Sequence, residues 1–163
     1  MKLKNPLKDM RTIRALLEGA EREAQAEGED RAGAEHLLLS ALALPDGTAR
    51  QAFERAGSDP DALRQAIAAV HADALRGIGI EPPDEQTLPV ASRPDASGPM
   101  RTGATCQAAF QRASELSRPG HLLGAHVVLA ATELTEGVTP RALRAAGVDR
   151  DALAAAAQAT LDA

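Results

Sequence analysis

Apolar residues recur every three to four positions along most of this chain, and that spacing predicts helices. Over residues 10–27, Ile13, Leu16, Leu17, Ala20 and Ala24 share one face, while Glu18, Glu21, Arg22 and Glu23 fill the other. Gly28 ends the helix, as glycine does just past a helical terminus. Residues 34–44 are almost all apolar and predict a second, central helix. Pro45-Asp46-Gly47 then makes a turn. A short third helix spans residues 48–56 and is closed by Gly57. Ser58 or Asp59 caps a fourth, with Pro60 near its first turn and Leu63, Ile67, Val70 and Leu75 directed inward. From Gly77 onward Pro82, Pro83, Pro89, Pro94 and Pro99 crowd a stretch that predicts a linker or a surface strap. The prolines also weigh against a strand at Leu88-Pro89-Val90.

The pattern then repeats. Cys106, Ala109, Phe110, Ala113 and Leu116 form a helical stripe that Pro119-Gly120 stops. Residues 124–134 repeat the central apolar helix, Thr139-Pro140 opens the next with Thr139 as its cap, and Asp149 caps the last, which carries Leu153 and Leu161. The duplication is visible residue by residue. Glu35-His36-Leu37-Leu38 stands ninety residues before Ala125-His126-Val127-Val128, and Gly57-Ser58-Asp59 stands at the same offset from Gly147-Val148-Asp149. A fixed internal period is strong evidence for a repeated structural unit. The expected organisation is a basic leader at 1–9, a first repeat at 10–77, a Pro-rich linker at 78–99 and a second repeat at 100–163. The fold class is all-α, two four-helix repeats packed as one domain. Alone, a unit of roughly 65–75 residues buries a marginal core, so each needs the other.

Composition sharpens this picture. Two Phe, no Trp and no Tyr leave a core of Ala, Leu and Val. Small side chains let helix axes approach closely, and strands would want more β-branched and aromatic residues. A net charge of −5 with mixed signs lacks the basic face of a general nucleic-acid binder. All three lysines, Lys2, Lys4 and Lys8, lie at the start. No apolar run approaches ~18 residues, and no secretory segment is seen, so a cytoplasmic, non-membrane protein is expected. Sparing use of Lys and abundant Ala suggest a bacterial, high-GC origin.

Catalytic signatures are missing. There is no P-loop and no H-E-x-x-H, and the Gly77-Ile78-Gly79-Ile80 stretch lacks the context of a dinucleotide fingerprint. His36, His71, His121 and His126 are spread over separate elements without ligand spacing, so no metal and no cofactor are expected. His36 and His126, equivalent in the two repeats, read as structural. Cys106 with His121 or His126 would lack an orienting third group, and its place on an apolar stripe suits an inert thiol.

The residues also resemble a known family. Gly28-Glu29-Asp30-Arg31-Ala32-Gly33-Ala34-Glu35-His36-Leu37-Leu38-Leu39 is similar to the G-H-x-x-[IV]-G-T-E-H-[IL]-L-L signature of the Clp amino-terminal domain, the duplicated helical module of ClpA- and ClpC-type unfoldases. Residues 47–57 resemble its G-x-A-x-x-x-L-x-x-x-G block. The resemblance implies a non-catalytic module that binds Clp substrates, adaptors or unfoldase components, here without the ATPase modules. It also implies a ligand groove between the first helices of the repeats. By position that groove would present Met10, Arg14, Leu17 and Glu21 from one side and Thr102, Cys106, Ala109 and Phe110 from the other. Cyclic peptides are a further ligand class of such a groove, and the chain could serve as a decoy for them. The other reading of Leu17 and Phe110 is that they are core. Some members bind phosphoarginine through the Glu of T-E-H and a threonine opening the repeat's first helix. Here Glu35 keeps the acid, which also reads simply as a helix N-terminal acid favoured by the macrodipole; Met10 stands at the threonine position, and Thr12 lies two residues on. In the second repeat Ala125 replaces the acid, the stretch from Gly120 to His126 reads two residues shorter than the pattern, and Thr102 fills the threonine position once that is allowed for. The alternative function is a small helical regulatory or structural protein that reuses this fold for an unrelated partner.

Overall fold

The computed structural model describes residues 6–79 and 102–163. Most of the Pro-rich linker, including Leu88-Pro89-Val90, and Met100 lie outside the described residues. The chain is all-α: helices α1 (Pro6–Ala26), α2 (Ala34–Leu42), α3 (Thr48–Arg55), α4 (Ala62–Gly77), α5 (Ala104–Leu116), α6 (Gly124–Thr132), α7 (Val138–Ala145) and α8 (Arg150–Asp162). They form two pseudo-symmetric four-helix repeats, with no strand among the described residues beyond one isolated bridge between Ala32 and Thr102.

The ninety-residue period holds in three dimensions. α6 and α7 begin and end ninety residues after α2 and α3, and α5 ends ninety residues after α1. Gly57 and Gly147 both take left-handed φ angles, 73° and 74°, and the next amide reaches back to close each helix: Ser58 to the Phe53 carbonyl and Val148 to the Leu143 carbonyl, both 2.9 Å. A side chain would be strained there, which is why glycine marks both ends. The connections 27–33 and 117–123 are equal in length, so the shortening expected between Gly120 and His126 does not exist. Arg118 stands at the period position of Gly28, so Gly120 is not the counterpart of that glycine.

Several helix ends differ from expectation. The described part of α1 runs from Pro6, so Lys8 belongs to a helix and not to a leader. α2 stops at Leu42 although Leu44 is buried; burial continues past the last helical turn. Thr139 does not cap α7. Gly137 holds that position and Thr139 is buried in the first turn. Asp149 does cap α8, accepting the amides of Asp151 and Ala152.

Helix pairing crosses between repeats. α1 packs on α2 and α5 on α6, but α3 packs on α8 and α4 on α7, while α2 and α6 meet at the centre. α2 is buried along its whole length. The symmetry is imperfect. α8 lies close along α6, whereas α4 touches α2 at few places. The inward residues explain it: Leu153, Ala156, Ala157 and Thr160 on α8 against Leu63, Ala66, Ile67 and Val70 on α4. Larger side chains hold helix axes further apart.

Candidate functional site

Two features stand out, an ionised cluster at the start of α2 and a groove along α1. The cluster begins with helix capping. The Gly33 amide donates to His36 Nδ1 at 2.9 Å, so that nitrogen is an acceptor and the proton sits on Nε2, which donates to Glu27 Oε2 at 2.9 Å. His126 repeats the cap, accepting the Leu123 amide at 3.0 Å. Both histidines are therefore structural, as their equivalent positions suggested.

His71, on α4, joins the cluster from the other side. Its Nδ1 lies 3.2 Å from Glu27 and 3.7 Å from Glu29, and its Nε2 lies 3.5 Å from Glu35. Hydrogen bonding to Glu27, then to Glu35, raises its pKa to about 10 against the cost of burial. Burial pushes Glu27 up, but the bonds from His36 and His71 outweigh it and bring its pKa down to about 2. Glu35 is also held low: burial opposes ionisation, and the His71 bond and its own backbone amide overcome it. Two carboxylates from α1's end and α2's start thus share one imidazolium from α4. His71 and Glu27 were not anticipated, because residues 44 apart in sequence leave no spacing signal.

Glu35 and Thr12 are not brought together. α1 runs antiparallel to α2, so Thr12 lies beside Leu44 and Pro45 past the far end of α2, with its hydroxyl donating to the Lys8 carbonyl at 3.1 Å. The threonines near the start of α2 come from the second repeat. Thr105 Oγ1 accepts the Ala34 amide at 3.1 Å, and the Gly103 amide donates to the Ala32 carbonyl at 2.7 Å beside Thr102. With equal connections, Thr102 is the period partner of Thr12, and Met100 that of Met10. The start of α6 in the second repeat is served in the same crossed way, by the first repeat: Thr48 Oγ1 accepts the Ala125 amide at 2.9 Å and Asp46 accepts that of Gly124 at 3.1 Å.

The anticipated groove between α1 and α5 is not assembled as expected. The two helices do not pack closely, and each rests on α2. Cys106 and Ala109 are core residues, not groove lining. Burial first, and then the nearby Glu35 charge, raise the Cys106 thiol to about 11, which leaves it a poor nucleophile. Arg14 is exposed and pairs with Glu18 at 2.7 Å. Met10 is exposed, Glu21 is half-buried, and Leu17 and Phe110 are half-buried and pack against the core.

An open groove of about 710 Å³ lies instead on the other flank of α1's buried stripe. Leu7, Lys8, Arg11, Thr12 and Ala15 form one wall, the turn Leu44-Pro45-Asp46 the second, and Leu123 of the second repeat closes it. A narrower continuation of about 130 Å³ passes Gly19, Ser40 and Ala43 to Arg22. Beginning α1 at Pro6 would have made this stripe legible, since 8, 11, 12 and 15 share a helical face. Among the described residues no group of His, Cys, Asp or Glu is arranged to hold a metal ion.

The model of the Clp repeat (R) N-terminal domain matches residues 11–119. The structure is similar to the N-terminal domain of the caseinolytic protease associated chaperone ClpD from Arabidopsis thaliana, with a TM-score of 0.63 and 23% identity, over 94% of this chain and 93% of that one. At that identity the likeness concerns the fold. No curated protein matches the chain in sequence.

Proposed function

Because the chain belongs to the Clp repeat (R) N-terminal domain family, we propose that it is a non-catalytic protein-interaction module of the Clp system, taking segments of substrates, adaptors or unfoldase components in the groove along α1. The observation that carries this reading is the groove itself. Both repeats build it, and Leu7 on its wall is 64% exposed, with Met10 nearby on α1 at 63%. Exposed large apolar side chains at a concave surface mark interaction sites more than they serve the fold. No helix among the described residues is long and apolar enough to cross a membrane. A cyclic apolar peptide would compete for the same surface.

The test is calorimetric titration of the chain with an unfolded model polypeptide and with a purified Clp unfoldase. Saturable binding at tens of micromolar, about −6 kcal/mol, is expected with at least one, and Leu7→Asp with Met10→Asp should weaken it about tenfold. No heat with either ligand refutes the reading.

Phosphoarginine recognition at Glu35 follows a narrower course. His71 already occupies the cationic position beside Glu35, so a guanidinium must displace it to pair with the carboxylate. A phosphoarginine peptide is expected to bind weakly to the native chain, more tightly to His71→Ala, and not to His71→Ala with Glu35→Ala. Equal binding by all three would remove Glu35 from the role.

A further inference from the structure

We infer that the groove along α1 selects an extended protein segment with an apolar middle and a carboxylate at each end, about five residues apart. This rests on the interaction role proposed above and names the chemistry of the partner.

The charge balance of the groove carries the inference. The chain as a whole is acidic, at −5, yet the acids around this groove are already engaged. Asp46 Oδ1 accepts the Thr48 amide at 2.8 Å and its hydroxyl at 2.5 Å, and Oδ2 accepts the Gly124 amide. Its charge is therefore spread over the starts of α3 and α6. Asp9 turns to His121 and the Leu122 amide. Glu23 makes a two-pronged bond with Arg64. The cations are different. Among the described residues Lys8, Arg11 and Arg22 have no ion-pair or hydrogen-bond partner for their charged groups. The rim is thus positive at both ends of a mostly apolar floor.

Spacing then sets the ligand. Arg11 and Arg22 are eleven residues apart on one helix, about 16 Å at 1.5 Å per residue. An extended segment covers that span in about five residues. Between the charges, Ala15, Leu44 and Leu123 offer an apolar bed at the wide end, and Gly19 and Ala43 leave only a shallow track beyond it. A polyanion such as nucleic acid would lay phosphates over that apolar bed, which desolvates charge without compensation. A segment with an apolar middle does not.

Fluorescence anisotropy on the full chain tests this, with fluorescein-labelled Glu-Ala-Leu-Leu-Ala-Glu and versions ending in Gln or Lys. The Glu-ended peptide is expected to bind at tens of micromolar, the Gln-ended one about tenfold more weakly and the Lys-ended one not measurably, with affinity falling as salt rises. Lys8→Glu, Arg11→Glu and Arg22→Glu combined should reverse the order of the peptides, a change that misfolding cannot produce. The salt and end-group series on the native chain stands even if that variant fails to fold. Indifference to the end charge overturns the inference. So does an oligonucleotide that binds as tightly, or a dimer of this chain that the triple variant separates. Unfolded polypeptide binding that the triple variant leaves unchanged overturns the inference while the interaction role stands. Silence from every ligand overturns both.

Discussion

His71 is the cation of the acidic cluster, and its removal should be felt there. It pairs with both Glu27 and Glu35 at the junction of α1, α2 and α4 and offsets one of their two negative charges. His71→Ala leaves two part-buried carboxylates facing one another, at a cost of about 1–3 kcal/mol. The pH dependence has a definite sign. His71 is raised from 6.5 to about 10, so its contribution is fully present below pH 6.5 and lost as pH rises through about 10. Glu27 is lowered from 4.5 to about 2, so its contribution is present above pH 4.5 and lost as pH falls through about 2. Urea unfolding of the native chain should therefore show a broad optimum between about pH 4.5 and 6.5. In His71→Ala the decline on the alkaline side should flatten. A decline of equal slope in both proteins would place the dependence elsewhere.

At the scale of elements, glycine at 124 is demanded by packing. A Cβ there would lie 3.0 Å from the Ala49 side chain and 3.1 Å from the Ala41 carbonyl. Gly124→Ala should cost about 1–3 kcal/mol through overpacking, read as a lower denaturation midpoint with unchanged slope. An unchanged midpoint would mean that α3 yields freely. Helices themselves were legible because apolar spacing and glycine stops coincide, as at Gly57 and Gly147. Boundaries were less so where burial and helicity part company, as at Leu44, or where a charged start masked a helical one, as at Pro6 and Lys8. The site was legible only in part. Glu35 stood out by its motif, but its partners come from α1's end and from α4. Meanwhile Cys106 and Ala109 went to the core, since a residue's stripe is visible in sequence and the neighbour it faces is not.

At the scale of the molecule, the crossed pairing of α3 with α8 and α4 with α7 means that the two repeats complete one shared core. Residues 1–79 and 102–163 made as separate chains should each lack a cooperative thermal transition, and mixing them should restore one, followed by circular dichroism. A sharp transition in either half alone would contradict the crossed architecture. Those pairings were hidden from the sequence because contacts between distant helices carry no period of their own. They also set a schedule for synthesis. α3, with the large buried Phe53, waits for α8, which follows it by on the order of a hundred residues. At about 5–20 residues per second, the nascent chain carries that apolar surface uncovered for roughly 5–20 s. For that interval the newborn protein is itself the kind of half-folded chain that chaperones recognise.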